Sequence, residues 1–236
     1  MRKSVSRGTF SSVKLDLSVK MKDIKYLLNE VGIFITNAQV KKLQQYLNLL
    51  LQWNQRINLI SRSDESRLVE RHVLESIAVL KGFKIQYGAR IIDVGSGAGF
   101  PALPLSLVRT DLNFLLVESK RLKTLFLKEA VQQLKLSQLQ IIYDRVENLS
   151  KDKYRIENFD FAFSRAVASL DVVYGWIQHL LKYTGCYIAW KGGDIQQEIE
   201  NLLSKFKNVD IEVIKMDAQL INPTRKKVFV CIQRKN

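Results

Sequence analysis

One pattern constrains this chain more than any other: from residue 89 onward, short apolar runs alternate with stretches of helical length. The runs at 89–94, 113–118, 139–143, 159–164, 185–191, 210–215 and 227–233 read as strands, and 101–109, 120–136, 166–182 and 194–206 as helices. Strands that alternate with helices bury both faces of a parallel sheet, so the expected fold is α/β, a doubly wound, seven-stranded, mostly parallel sheet. The last two runs have only a loop containing Pro223 between them, so they are expected to pair antiparallel at one edge.

The first strand runs into "RIIDVGSGAGFPALPLSLVR", residues 90–109, where Asp93 is followed by Gly95, Gly97 and Gly99. In an open α/β sheet, ligands sit beyond the carboxyl ends of the strands, and a glycine turn there lets backbone approach a nucleotide. A dinucleotide fingerprint needs a glycine where this chain has Phe100. A phosphate loop needs Gly-Lys where it has Phe100-Pro101. The remaining common owner of this spacing is the S-adenosylmethionine (SAM) methyltransferase fold; the alternative is a tight turn that binds nothing. Glu118, nineteen residues after Gly99 at the end of the second strand, is placed to accept both hydroxyls of a ribose. It speaks for a nucleoside without naming one. In "YDRVENL", Val146 can offer its N–H to an adenine ring and Glu147 can accept from the exocyclic amine; a surface loop glutamate is the plain alternative.

The fourth strand delivers Ser164 and Arg165 to its carboxyl end. An arginine there can cap a helix, pair with a carboxylate, or face a phosphate or the SAM carboxylate. Ala166, Ala168 and Ser169 leave room for a flat substrate. If Arg165 lines the site, Arg165→Ala should abolish turnover with little loss of fold.

Before residue 89 the period changes. Ile24, Leu27, Leu28 and Val31 mark one helix, closed by Gly32. Thr36 and Gln39 form a capping box, and Val40, Leu43, Tyr46, Leu47, Leu50, Trp53, Asn54 and Ile57 trace the inner stripe of a second. Leu68, Val69, His72, Val73, Ile77 and Leu80 trace a third, with Gly82 past its end. The expected organisation is a basic, mobile segment over residues 1–20, a helical extension over 21–88, and the α/β domain over 89–236.

The 236 residues carry 37 Lys+Arg against 23 Asp+Glu, a net charge of +14, and residues 1–28 hold seven basic groups against Asp16 and Asp23. Such a surface favours a polyanion or an anionic membrane. No apolar run approaches the length of a membrane span, and no export signal is legible. Arg62, Arg67, Arg71, His72, Lys123, Lys191 and Arg225 are the candidates for a groove that tracks RNA phosphates, with binding that weakens steeply in salt; His72 reads equally as an inner histidine. Two histidines are too few for a histidine metal site, so no metal is expected. Cys186 and Cys231 lie in separate apolar runs and read as buried free thiols, which fits a reducing cytoplasm.

Taken together, "WNQRINLI", "RHVLESIAVL", the glycine turn, "RVENL", "FSRAVASL" and "AWKGG" resemble the bacterial 16S ribosomal RNA (guanine-N7) methyltransferase family, also called glucose-inhibited division protein B, over roughly residues 21–233. The resemblance implies a class I, Rossmann-like SAM methyltransferase that methylates N7 of a single guanine near the decoding region. It implies SAM as cofactor, S-adenosylhomocysteine as product, and 16S RNA or the small subunit as partner, for a cytoplasmic monomer. Carried over by motif, the SAM site would include Gly95, Phe100, Val146, Glu147 and Arg165, with Glu118 on the ribose and Arg165 positioning the reactants; Asp93, Gly97 and Gly99 of the glycine turn complete the expected cofactor site. The chain departs from the family pattern at Glu75, where Asp is usual, and after Glu118, where Ser119-Lys120-Arg121-Leu122-Lys123 stands for Ser-x-Gly-Lys-Arg. The rival readings are a methyltransferase of another RNA, a nicotinamide-dependent oxidoreductase on the same sheet, and an RNA-binding module without activity.

Overall fold

The computed structural model describes residues 17–149, 158–221 and 226–235. The expectation of a mobile basic segment over 1–20 therefore falls almost wholly outside the described residues, and Arg225 lies outside them too.

Seven strands form one sheet: β1 (Arg90–Val94), β2 (Asn113–Glu118), β3 (Leu139–Tyr143), β4 (Phe159–Arg165), β5 (Leu181–Gly192), β6 (Val209–Lys215) and β7 (Lys227–Arg234). Their order is β3-β2-β1-β4-β5-β7-β6. β1 to β5 are parallel, and β7 runs antiparallel between β5 and β6. The doubly wound, mostly parallel sheet is thus present, with the antiparallel pair at one edge. Because side chains alternate along a strand, Ile91 joins one hydrophobic cluster and Ile92 the other.

On one face lie α1 (Leu17–Glu30), α2 (Asn37–Asn54), α6 (Ala102–Val108) and α7 (Arg121–Leu134). The other carries α8 (Val146–Leu149), α9 (Leu170–Ile177) and α10 (Gln196–Lys205). The amino-terminal helices share their cluster with Phe163, Ile188, Trp190 and Phe229 of the sheet, so they have no separate core. Thr36 and Gln39 form both halves of the expected capping box, and Gly32 closes α1 with φ +77°.

Two expectations change. The third helix is broken: α3 (Arg62–Glu65) is followed by a π-helical turn (Val69–Leu74), α4 (Glu75–Ile77) and α5 (Val79–Gly82). Cys186 and Cys231 are disulfide-bonded rather than free. Antiparallel pairing of β5 with β7 sets Ile188 opposite Cys231, which leaves Cys186 two residues away on the same face, with Cα atoms 6.4 Å apart. Among the described residues, no helix is long and apolar enough to cross a membrane.

Candidate active site

The glycine turn lies between β1 and α6 at the carboxyl edge of the sheet. The N–H groups of Gly95 and Ser96 donate to the Val117 carbonyl (2.9 and 3.2 Å), which folds the turn over the end of β2. Gly99 adopts φ +92°, and a Cβ there would lie 2.3 Å from Leu103 Cδ1, so the turn tolerates only glycine at that position. Pro101, joined to Phe100 by a cis peptide, caps α6. Pro104 is the third helical residue, where its missing N–H costs no intrahelical bond.

Glu118 completes the turn from the neighbouring strand. Its Oε2 accepts from the Gly97 N–H (2.8 Å) and its Oε1 from the Lys120 N–H (2.7 Å). Each oxygen retains a lone pair toward the site. Asp93 lies beneath the turn, 1% exposed, and its carboxyl oxygens find no well-formed hydrogen bond among the described residues. Burial pushes its pKa well above the usual carboxylate range; the nearby Ser96 hydroxyl opposes the rise and the charge of Glu118 adds to it.

A cavity of about 130 Å³ opens beside the turn, lined by Gly95, Val117, Asp144, Val146, Glu147, Val167 and Trp176 among others. It is small beside a typical ligand cleft of ~300–1,000 Å³, and it opens onto the face of the turn at Gly95. A larger cavity of about 570 Å³ lies at the opposite edge, by Gly88, Asn113, Gln138 and Asn158. The sheet rule favours the smaller one, because ligands of such folds sit at the carboxyl ends. Gly95, Val146 and Glu147 therefore meet at the cavity, and Asp93, Gly97 and Glu118 lie beside it.

Phe100 points away from the cavity. It is buried against Tyr46 (5.6 Å between centroids, edge-on) and His72 (4.8 Å, stacked), with the Arg165 guanidinium 5.9 Å over its ring. Tyr46 also donates its hydroxyl to the Ala98 carbonyl (2.6 Å), so α2 pins the turn directly. Sequence reasoning placed Tyr46 only in an apolar stripe; nothing local shows that its hydroxyl reaches a partner 52 residues away.

Arg165 has a packing role that its position in the sequence does not show. Its Nη2 donates to the Arg71 carbonyl (2.6 Å) and pairs with Glu75 Oε2 (2.9 Å). The π-helical turn explains the first contact. The turn is wider than a regular helix, and side chains donate to its carbonyls: Arg165 to that of Arg71, and the Ser76 hydroxyl to that of His72 at 2.5 Å. Glu75 is only 2% exposed and Arg165 14%, so the expectation of an arginine removable with little loss of fold is corrected. Trp190 adds a bond from its indole N–H to the Glu75 carbonyl (2.8 Å).

The basic candidates divide. Arg62 and Arg67 are exposed near α3. Lys123 reaches over the turn, its Nζ 3.8 Å from where a Gly97 Cβ would stand. Arg71 pairs with Asp64, and His72 Nε2 lies 3.5 Å from the same carboxylate, so both are half-buried and engaged by it. Lys191 is paired with Glu198 (2.6 Å) and donates to the Ala168 carbonyl (2.9 Å). Among the described residues, no group of three or more His, Cys, Asp or Glu is placed to hold a metal.

Comparison with known proteins bears on the fold and the family. Solved structures of similar fold include a SAM-dependent methyltransferase from Methanococcus maripaludis (TM-score 0.55, 16% identity, 72% of this chain and 89% of that one). A SAM-dependent methyltransferase from Aquifex aeolicus matches with TM-score 0.52 and 16% identity over 73% of this chain and 97% of that one. At such identity the likeness shows the fold, that of Rossmann-like SAM-dependent methyltransferases. Nearer in sequence is the ribosomal RNA small subunit methyltransferase G of Thermoanaerobacter pseudethanolicus, 39% identical over 83% of this chain and 82% of the relative. Its counterpart in Clostridium beijerinckii is 32% identical over 87% and 86%. The GidB family, described as rRNA small subunit methyltransferase G, matches residues 39–227, and the chain belongs to that family.

Proposed function

We propose that this chain transfers the methyl group of SAM to N7 of a guanine in 16S ribosomal RNA and releases S-adenosylhomocysteine. The observation that carries the reading is the glycine turn bonded to Glu118 above a buried Asp93, at the carboxyl edge of the sheet. These residues fit the donor. Glu118 has lone pairs for the ribose hydroxyls, Val146 and Glu147 line the cavity suited to adenine, and Asp93 is a buried carboxyl that an ammonium group above the turn would hold ionised.

When bound, SAM supplies an electrophilic methyl on a sulfonium. Guanine N7 has an in-plane lone pair and no proton, so no residue has to remove one to begin transfer. The work left to the protein is alignment, which supplies up to ~7–11 kcal/mol. Arg165, held by Glu75, and the segment after it keep the substrate side of the site in place. Arg62, Arg67 and Lys123 are exposed or half-exposed cations suited to RNA phosphates. In the same reading, a helical extension over 21–88 precedes a methyltransferase domain over 89–236, and the enzyme acts as a cytoplasmic monomer on free RNA or the small subunit.

The test is tritiated SAM with small subunits, or naked 16S RNA, from cells lacking this enzyme. Label in N7-methylguanosine is expected; its absence on both substrates refutes the reading. Calorimetry that finds NAD bound and SAM not bound refutes it independently.

A further inference from the structure

We propose that Lys191 and Glu198 form a latch that fixes residues 166–169 over the glycine turn, which makes both of them positioning residues for methyl transfer rather than phosphate contacts. This rests on the methyltransferase reading above.

The segment leaves the carboxyl end of β4 under constraint. Ala166 has φ +56°, a left-handed conformation that a residue with a side chain keeps only when its surroundings enforce it. The next residue, Val167, lines the cavity, and its Cγ2 lies 2.9 Å from where a Gly95 Cβ would stand. Val167 is thus the side chain laid across the turn. Its position depends on what holds the backbone on either side.

On one side is Arg165, tied to Glu75 and to the Arg71 carbonyl. On the other, three bonds converge. Lys191 Nζ donates to the Ala168 carbonyl (2.9 Å) and to Glu198 Oε2 (2.6 Å), and the same Glu198 oxygen accepts from the Leu170 N–H (2.9 Å). Lys191 is the last residue but one of β5, Glu198 lies in the first turn of α10 and Leu170 opens α9, so the pair joins three elements to one loop. The Lys191 side chain is only 15% exposed and its ammonium is engaged twice, which makes it a poor free cation for RNA. The exposed Arg62 and Arg67 are better placed for that work.

The experiment measures methylation kinetics, the salt dependence of RNA binding and amide exchange in Lys191→Met, Lys191→Arg, Glu198→Ala, Glu198→Asp and the Lys191→Met/Glu198→Ala double variant. A latch predicts kcat lowered about 10–100-fold in both Met and Ala variants, the scale of an ångström misplacement. It also predicts an unchanged KM for RNA, a double variant no worse than either single, and substantial recovery in Lys191→Arg. Amide exchange at 168–170, read without RNA or SAM, should quicken in Glu198→Ala and, if that variant does not fold, in the milder Glu198→Asp. The proposal is overturned if Lys191→Met lowers the slope of log affinity against log salt by about one ion while the Glu198 variants do not. It is also overturned if exchange at 168–170 is unchanged. The exchange readout keeps the two ideas apart: wild-type enzyme that methylates no guanine sinks the functional reading, whereas faster exchange in the variants still supports the latch.

Discussion

Arg165→Ala separates what the arginine does for the fold from what it does for the reaction. In the native chain its guanidinium meets a Glu75 carboxylate that is 2% exposed, together with the Arg71 carbonyl. Removing one partner of a buried ion pair costs about 3–5 kcal/mol, because the remaining charge stays desolvated. For a chain of this size each kcal/mol moves Tm by about 2–4 °C, so the substitution should lower Tm by roughly 6–20 °C. Differential scanning calorimetry of the ligand-free protein measures this directly. The companion is Arg165→Met/Glu75→Leu, which replaces the pair with apolar groups and should recover most of the lost stability. Activity should not recover with it, since the double variant has no guanidinium at the substrate edge. If Arg165→Ala melts within about 2 °C of wild type, the pair contributes little and the reasoning from burial is wrong. If the double variant regains both stability and turnover, Arg165 acts only on the fold.

Three further substitutions test the turn. Asp93→Asn should weaken SAM binding and remove the loss of stability on going from acid to neutral pH, because it removes a carboxyl whose pKa burial has pushed up. The sign follows from proton binding: the folded form holds a proton that the unfolded chain has lost, so wild-type stability falls as pH rises from about 4 toward the raised value, and the variant lacks that slope. Urea titrations at pH 5 and pH 8 that give both proteins the same slope would count against it. Gly99→Ala forces a Cβ to 2.3 Å from Leu103 at φ +92°; calorimetry should show roughly 1–3 kcal/mol lost and SAM binding weakened at least tenfold. Tyr46→Phe strips the Ala98 carbonyl of its donor at a cost of ~1–2 kcal/mol, and equilibrium binding should show SAM affinity falling more than RNA affinity.

The parts of the fold legible in the sequence are those governed by local period and local turn chemistry. β2 and β3 occupy 113–118 and 139–143 as the alternation predicts, and Thr36 and Gln39 cap α2 because a capping box needs only four residues. The misreadings occur where distant groups set the backbone. A helix expected from 166 begins at Leu170, because residues 166–169 are held as bends by Lys191 and Glu198, and no helical periodicity encodes a bond from another strand. The third amino-terminal helix keeps its apolar stripe but opens into a π turn, and Arg165, 94 residues on, donates to the Arg71 carbonyl within it. The same divide runs through the site. The turn formed by Gly95, Gly97 and Gly99 and its closure by Glu118 were legible because glycine spacing and a strand-end carboxylate are local features of the sequence. Phe100, expected at the cofactor, instead packs between Tyr46 and His72, and so joins the helical extension to the turn. A chain that kept every glycine but lost this aromatic contact would still match the motif, yet would lack one of the two contacts, with the Tyr46–Ala98 hydrogen bond, that hold the turn against the helical extension. We therefore expect the determinants of alignment to include the long-range contacts of Tyr46, Glu75 and Lys191, because alignment is most of what a reaction without proton transfer asks of its enzyme.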